Sequence, residues 1–311
     1  MIQAIAKEEH EPGKPPKETT AILPNRVRGP KAEGILIGVT ATRASFPTRV
    51  AEIVNTWASK LPKGVFVRFF VGDPVGPSDI TGGSAQDIEN LSRQAGISDK
   101  STIVVMKGVQ DNEYPLVHKA AAVLKYMDKA ILSLKRLSRE NRIEWIFDVD
   151  DDTYVNVEAL QEFLFKRNFR QHTYIGQRGY GKEKDREMLR KAGLVKPYCM
   201  GGTGIVMAKD TFGILVDHIN ECIDVANKTQ TELFDDVLIG MCIQRRIGAG
   251  CWEGNSYNGG TFAHNYHGSE NFPSDPDLWN TVSLHPHKTL GMMNKTHERF
   301  KRFGISPSSS P

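Results

Sequence analysis

The sequence predicts an α/β protein, a mostly parallel sheet flanked by helices, on three observations. Short β-branched and apolar runs alternate along the chain with segments of helical periodicity, the order that builds strand–helix–strand units. One run, Ile143-Glu144-Trp145-Ile146-Phe147-Asp148-Val149, is apolar on both faces, as a strand covered by helices on either side must be. The composition, 311 residues with 39% hydrophobic and 25% charged, is that of an ordinary globular chain. At this length about three quarters of the unfolded surface can be buried, so one or two domains can fold without structural metals or disulfides.

Residues 1 to about 33 hold Glu8-Glu9-His10-Glu11-Pro12-Gly13-Lys14-Pro15-Pro16-Lys17 and few apolar side chains, and are expected to form a flexible, stem-like segment. A single domain is expected from 34 to 305, with a disordered tail from 306 to 311. Its first strand is Gly34-Ile35-Leu36-Ile37-Gly38-Val39, and a helical pattern follows from about Thr48 to Lys60. A second strand is expected at Val65 to Val71, then a Gly/Pro/Ser/Asp-rich loop from Gly72 to Ser84, then a third strand at Ser101 to Val105. Val123, Leu124, Met127, Ile131 and Leu132 recur at helical spacing and predict a long helix from Val117 to Asn141. The two-faced strand at 143–149 comes next, and a helix from Val157 to Lys166 follows it.

Charge excludes some partners. The net charge of +3 comes from 40 basic and 37 acidic residues, and basic clusters such as Lys295 to Arg302 are interrupted, so neither nucleic acid nor an anionic membrane is expected as a partner. No run approaches the ~18 to 20 apolar residues that span a bilayer, and Met1 to Lys7 lacks the apolar core of a signal peptide. As written, the chain reads as soluble. Cys199, Cys222, Cys242 and Cys251 permit three pairings; two disulfides in an oxidising compartment and four reduced, buried thiols are both open. No Cys-x-x-Cys spacing suggests zinc. Asn-x-Ser/Thr sequons at Asn90, Asn227 and Asn294 matter only in a secretory protein.

Asp150-Asp151-Asp152 stands where the two-faced strand ends, and ligands of open α/β sheets bind beyond the carboxyl ends of strands. Adjacent carboxylates repel unless a cation neutralises them, and carboxylate oxygens suit a hard ion such as magnesium or manganese with open positions for phosphate. The bland alternative is a solvated acidic turn capping the next helix. An EF-hand is excluded, because Thr153 stands at the glycine position and Ala159 at the bidentate glutamate position.

Trp145-Ile146-Phe147-Asp148-Val149-Asp150-Asp151-Asp152-Thr153-Tyr154-Val155 resembles the DxD segment of glycosyltransferase family 31, the fringe and core-1 type β-1,3-glycosyltransferases. Further blocks agree, in family order: Gly38-Val39-Thr40-Ala41-Thr42-Arg43 with Thr48-Arg49 and Thr56-Trp57; Gly108 to Pro115 with Lys119 and Leu124-Lys125-Tyr126-Met127; Tyr198-Cys199-Met200-Gly201-Gly202-Thr203-Gly204; Asp235 to Cys242; and Leu284-His285-Pro286-His287-Lys288. The motifs are most similar to the β-1,3-transferase domain of chondroitin synthases, in the cysteine positions, the Glu221-Cys222 pair and the His-Pro-x-Lys element. The likeness runs from about Gly34 to Lys288.

This resemblance implies a GT-A glycosyltransferase fold with a Rossmann-like sheet, a UDP-sugar donor, a glycan or glycoprotein acceptor, and manganese or magnesium as cofactor. It implies metal ligation by Asp152, Asp150 and His285. Asp150 is expected to reach the ribose or the metal's waters, and Asp151 is the third acidic neighbour of the donor. Asp236 is expected as the base that deprotonates the acceptor hydroxyl, with Asp235 as the alternative. Thr40, Thr42, Arg49, Tyr114 and Lys119 are expected around uridine and phosphate, and Gly201, Gly202 and Gly204 to let backbone approach the donor sugar. Cys199 with Cys222 and Cys242 with Cys251 are the pairings it suggests, and the Golgi lumen is the compartment. Membrane association would require an N-terminal anchor that these residues lack, as in a stem cut from a longer gene product.

Three positions depart from the family pattern: Thr203 stands where Pro or Ala is common, Asp148 where a basic residue or His is common, and the membrane anchor is missing. The expected reaction is sugar transfer from UDP-sugar in β-1,3 linkage with inversion. An inactive relative serving as partner or chaperone of an active transferase is the alternative, and a lectin-like binder using Trp252, Tyr257 and Trp279 a third. Resemblance tilts the donor towards glucuronate or galactose.

Overall fold

The structure is a computed structural model that describes residues 31–75, 81–112, 117–137, 142–165, 173–181, 183, 186–191, 193–228, 234–253, 262–265, 278 and 281–302. The expected stem up to residue 30, the expected tail, Tyr114, Tyr257 and Trp279 lie outside the described residues.

The chain opens with β1 (Ile35–Thr40), α1 (Ala51–Asn55), β2 (Val65–Asp73), α2 (Ala85–Ala95), β3 (Ile103–Gln110), α3 (Val117–Leu137) and β4 (Trp145–Asp150). It continues with β5 (Tyr154–Val155), α4 (Val157–Phe165), β6 (Tyr174–Gly176), β7 (Arg178–Gly179), α5 (Arg186–Lys191), β8 (Tyr198–Cys199) and β9 (Ile205–Ala208). The last elements are α6 (Lys209–Lys228), α7 (Asp235–Ile247), β10 (Trp252–Glu253), β11 (Ala263–Asn265), β12 (Ser283–His285) and α8 (Met292–Arg302).

Seven strands make one sheet in the order β10-β6-β9-β4-β1-β2-β3, parallel except where β9 runs against β4 and β6. The α/β class is as predicted. Period-two alternation divides the core between the faces of this sheet. Ile35, Ile37, Val39, Phe147 and Val149 face a cluster that includes Val50 and Ile53, Leu91 of α2, Leu160 of α4 and Phe300 of α8. Leu36, Phe70 and Ile146 face the other, with Met127 of α3, Leu215 of α6 and Leu238 of α7. Gly38 sits under α3 so closely that a Cβ would lie 1.9 Å from Met127 Cε.

The helix expected over Thr48 to Lys60 shrinks to a 3₁₀ turn (Arg43–Ser45), a wide turn (Phe46–Val50) and the five residues of α1. Pro47 allows the wide turn at its start, and the buried Thr56 hydroxyl donates to Glu52 O at 2.6 Å, drawing the backbone out of helical register. α2 was not foreseen; Ser84 caps it by accepting from Asp87 N at 3.2 Å.

The cysteines form two disulfides, Cys199–Cys251 and Cys222–Cys242, which corrects the pairing that the resemblance suggested. α6 and α7 lie side by side and bring Cys222 and Cys242 to a Cα separation of 5.5 Å. Cys251 donates its backbone N–H to Pro197 O at 2.8 Å, which sets it beside Cys199 at a Cα separation of 5.0 Å. Both separations suit a disulfide.

Candidate functional site

From β1 the chain moves outward through β2 to β3, then returns to place β4 on the other side of β1. The carboxyl ends of β1 and β4 therefore flank a switch point, where a crevice opens because successive connections diverge. Thr40 and Asp150 are registered neighbours at those ends. Asp151 N donates to Thr40 O at 3.1 Å and Thr153 N to Asp150 O at 3.1 Å, so the three aspartates fold into a tight turn at the crevice.

That turn feeds β5, which pairs antiparallel with β12 and brings His285 back from far along the chain. His287 N then donates to Asp152 O at 2.7 Å. As a result one potential ligand atom each from Asp150, Asp152 and His285 falls within 4.8 Å of the others. His285 Nε2 faces Asp152 Oδ1 at 3.2 Å, yet that buried oxygen receives no properly directed hydrogen bond. Two carboxylates and an imidazole converging with lone pairs poorly satisfied by protein fit a divalent cation, as oxygen and imidazole ligands suit such an ion. Room for the imidazole depends on Gly202, where a Cβ would lie 2.5 Å from His285 Cε1 and 2.6 Å from Nε2.

Arg49 reaches this group from the wide turn, its Nε 3.0 Å from Asp151 Oδ1 and Nη1 3.9 Å from Asp152 Oδ2. Thr42 stands on the same side; its N–H donates to Ser45 Oγ at 3.1 Å, and Ser45 Oγ donates to Thr42 O at 2.7 Å. Lys119 is buried and its ammonium donates to Ala41 O at 3.0 Å and Asp111 O at 2.6 Å, with Asp111 Oδ1 at 3.4 Å. It thus builds the wall between β1 and the start of α3.

Asp235 and Asp236 open α7 across the crevice. Asp236 accepts from Gly201 N at 3.2 Å and Val237 N at 2.7 Å, which aims its carboxyl group and ties the glycine loop to the helix. Gly204 N in turn donates to Gly201 O at 2.7 Å. Gly204 has φ +91°, and a Cβ there would lie 2.4 Å from the Phe147 ring, so this glycine answers to backbone and packing needs.

Crowded acids make the electrostatics. Burial, then the charges of Asp235 and Asp152, holds Asp150 well above the usual carboxylate range. Burial followed by Asp235 pushes Asp148 up to about 8, and the same two causes push Asp236 to about 7. Burial raises Asp235. It also raises Asp151, although Ser45 and Arg49 oppose it. For Asp152 burial acts upward, but the close approach of His285, with the charge of Arg49, wins and the net shift is down. This site therefore stores mutual repulsion that a cation would relieve.

Sequence reasoning missed some supporting residues. Arg43 donates to both oxygens of Asp87 at 2.6 and 2.9 Å and to Gly72 O at 3.0 Å, while its N–H donates to Asp111 Oδ2 at 2.6 Å. Arg43 and Asp111 lie in the quoted motifs, but Asp87 belongs to α2, which no motif marked. Trp252, the described member of the lectin-like set, packs on Phe163 with ring centroids 6.4 Å apart.

Chondroitin sulfate synthase 3 of Mus musculus is 26% identical over 268 residues, covering 85% of this chain and 27% of that protein. The Homo sapiens protein of the same name is 26% identical over the same length and coverage of this chain. Human chondroitin sulfate glucuronyltransferase is 26% identical over 175 residues, 54% of this chain. The chain spans about a quarter of the length of the synthases it matches. Among solved structures, the galactosyltransferase LgtC in complex with donor and acceptor sugar analogues aligns over 89% of this chain and 97% of its own, at 15% identity and a TM-score of 0.41. The bifunctional glycosyltransferase WbbM aligns over 89% and 52% at 12% identity, with a TM-score of 0.42. The Fringe-like family profile matches residues 31–258, most of the chain, including β1, β4 and the start of α7, and on that match the protein belongs to the Fringe-like family of glycosyltransferases.

Proposed function

We propose that the chain is a metal-dependent, inverting glycosyltransferase that moves a sugar from a UDP-sugar to a glycan acceptor in β-1,3 linkage. One observation carries this reading: Asp150, Asp152 and His285 converge within 4.8 Å at the switch-point crevice, with the Asp235-Asp236 pair directly across the glycine loop. Manganese or magnesium held by those three residues would supply Lewis-acid stabilisation of charge on the departing diphosphate.

Arg49, beside Asp151 and Asp152, would contact phosphate oxygens, for which its guanidinium geometry is suited. Thr40 and Thr42 flank the nucleotide side, with Tyr114 assigned there from the sequence alone. Lys119 stiffens the wall behind them. Asp236, aimed by the N–H groups of Gly201 and Val237, accepts the proton of the attacking hydroxyl while the new bond forms at the anomeric carbon and the bond to UDP breaks. A base near 7 is well matched to that task. Asp235 is the alternative base. Two disulfides accord with an oxidising compartment, here the Golgi lumen.

The test is UDP release from a panel of UDP-sugars with manganese, with and without EDTA, in the wild type, Asp152→Asn and Asp236→Asn. The expected result is metal-dependent turnover of one donor, reduced about 10²- to 10⁴-fold by Asp236→Asn, the usual contribution of a positioned base. No turnover of any donor with glycoside and oligosaccharide acceptors present would favour an inactive partner or chaperone.

A further inference from the structure

Strands β1, β2 and β3 lie side by side and parallel, so their carboxyl ends meet on one side of the crevice. Arg43, just beyond β1, ties all three ends together. Its Nη1 and Nη2 donate to Asp87 Oδ1 and Oδ2 of α2 at 2.6 and 2.9 Å, and its Nε donates to Gly72 O of β2 at 3.0 Å. Its backbone N–H donates to Oδ2 of Asp111, just beyond β3, at 2.6 Å. Asp111 Oδ1 accepts from Gly72 N at 3.0 Å and lies 3.4 Å from Lys119 Nζ. Gly83 N holds Asp87 as well, donating to Oδ2 at 2.8 Å. Asp87, Asp111 and Lys119 are all buried. Charge therefore alternates from Asp87 through Arg43 and Asp111 to Lys119, along the ends of three strands.

We propose that Arg43 is a positioning residue for the nucleoside diphosphate, resting on the reading of the crevice as a UDP-sugar site: held by Asp87 and Asp111, it fixes the chain from Ala41 to Ser45 in the form that receives uridine and phosphate. The loop so held carries Thr42 and runs into the wide turn from which Arg49 meets Asp151 at 3.0 Å. Ala41 O, at the start of that loop, accepts from Lys119 Nζ at 3.0 Å, at the other end of the same line of charges. A buried ion pair adds little net stability, because desolvation offsets its attraction. What it supplies is geometry, since a guanidinium fork that meets a carboxylate through two parallel bonds admits one orientation. The β2–β3 register shifts between Gly72 and Asp73, so ladder hydrogen bonds alone do not align these ends, and the side chains of Arg43 and Asp111 do. The backbones are close enough there that a Cβ on Gly72 would lie 2.5 Å from Asp111 Cα.

The experiment compares the full chain with Arg43→Lys and Asp87→Asn, reading UDP binding by titration calorimetry with manganese, donor KM and kcat from UDP release, and melting temperature. Lysine keeps the charge but cannot make the two-bonded contact. Either variant is expected to weaken UDP binding and raise donor KM about tenfold while kcat changes less than about twofold, because ground state and transition state lose the same contacts. The double variant is expected to bind UDP no more weakly than the weaker single one, since both substitutions break one pair. Should Arg43→Lys fail to fold, Asp87→Asn decides by the same readings. A folded variant with a lower melting temperature and wild-type UDP affinity would make the role purely structural and overturn the proposal, as would a fall in kcat at unchanged KM. Failure of the wild type to bind UDP would instead remove the nucleotide-site reading, and the proposal with it.

Discussion

Asp236 shows how the fold sets the chemistry of one carboxyl group. Buried and next to Asp235, it is pushed to about 7, and a general base works only when ionised. Activity is therefore expected to fall about tenfold per pH unit on the acid side of that value, because the protonated fraction grows by that factor. A bound cation attracts the ionised form, so the rising limb of kcat/KM should lie at or below about pH 7. A pH profile unaltered in shape in Asp236→Asn would transfer the role to Asp235. Gly202 makes the complementary case. Its absent side chain is the space the His285 ring occupies, so Gly202→Ala should weaken manganese binding about 10- to 100-fold, a typical loss when a ligand is misaligned, as read by calorimetry. Much of this was legible in the sequence because Asp150, Asp152 and His285 fall in motif blocks. Gly204 was assigned to the donor, but its positive φ and the Phe147 ring depend on chain path and packing, which a motif does not encode.

At the scale of elements, α8 acts on the crevice through β12. Glu52 accepts N–H groups from Gly291 and Met293 at the start of α8, Tyr154 OH lies 2.9 Å from His297 Nδ1, and Phe300 stacks on Tyr154 at 5.3 Å. His287 Nε2 meets Thr296 Oγ1 at 2.9 Å while its backbone N–H holds Asp152 O. The segment that follows His285 is thus tied to α8 by the His287 side chain and to the Asp152 turn by its backbone. His287→Ala should raise the manganese concentration for half-maximal activity about 10- to 100-fold while saturated kcat changes little, measured by metal titration. Strands β1, β2 and β4 and helix α3 could be anticipated from their periodic apolar runs. β5 and β12 could not, because two or three residues carry no periodicity and pair only through tertiary contact. The helix expected over Thr48 to Lys60 breaks up for local reasons, Pro47 at its start and the Thr56 hydroxyl, which takes Glu52 O at the end of α1.

For the whole molecule, the disulfides clamp the part of the chain that carries the proposed base. Closing loops with sequence separations of 52 and 20 residues contributes roughly 4 and 3 kcal/mol in a chain-entropy account. Cys222→Ser is accordingly expected to lower stability by about 3 kcal/mol in a denaturant titration, with mass spectrometry of the wild type finding Cys199 linked to Cys251. Buried acids add a pH term. Asp148 has a folded value of about 8 against 3.8 for the free group, so its contribution to stability is full below 3.8 and is lost as pH rises through about 8. The metal-free protein should therefore melt at a lower temperature at pH 8 than at pH 5, with a shallower decline in Asp148→Asn. The pairing of cysteines was beyond the sequence, since an even count leaves the partner choice to the packing of α6 against α7.

The proposed ligand set joins two residues of one turn to a third that arrives only when β12 docks against β5. Bringing together segments so far apart along the chain costs loop-closure entropy. If these residues hold the proposed cation, its affinity would report the β5–β12 pairing, since without that pairing the crevice would hold two carboxylates and no imidazole. Such a cation would in turn stabilise the closed β5–β12 pairing by binding that form more tightly than the open one.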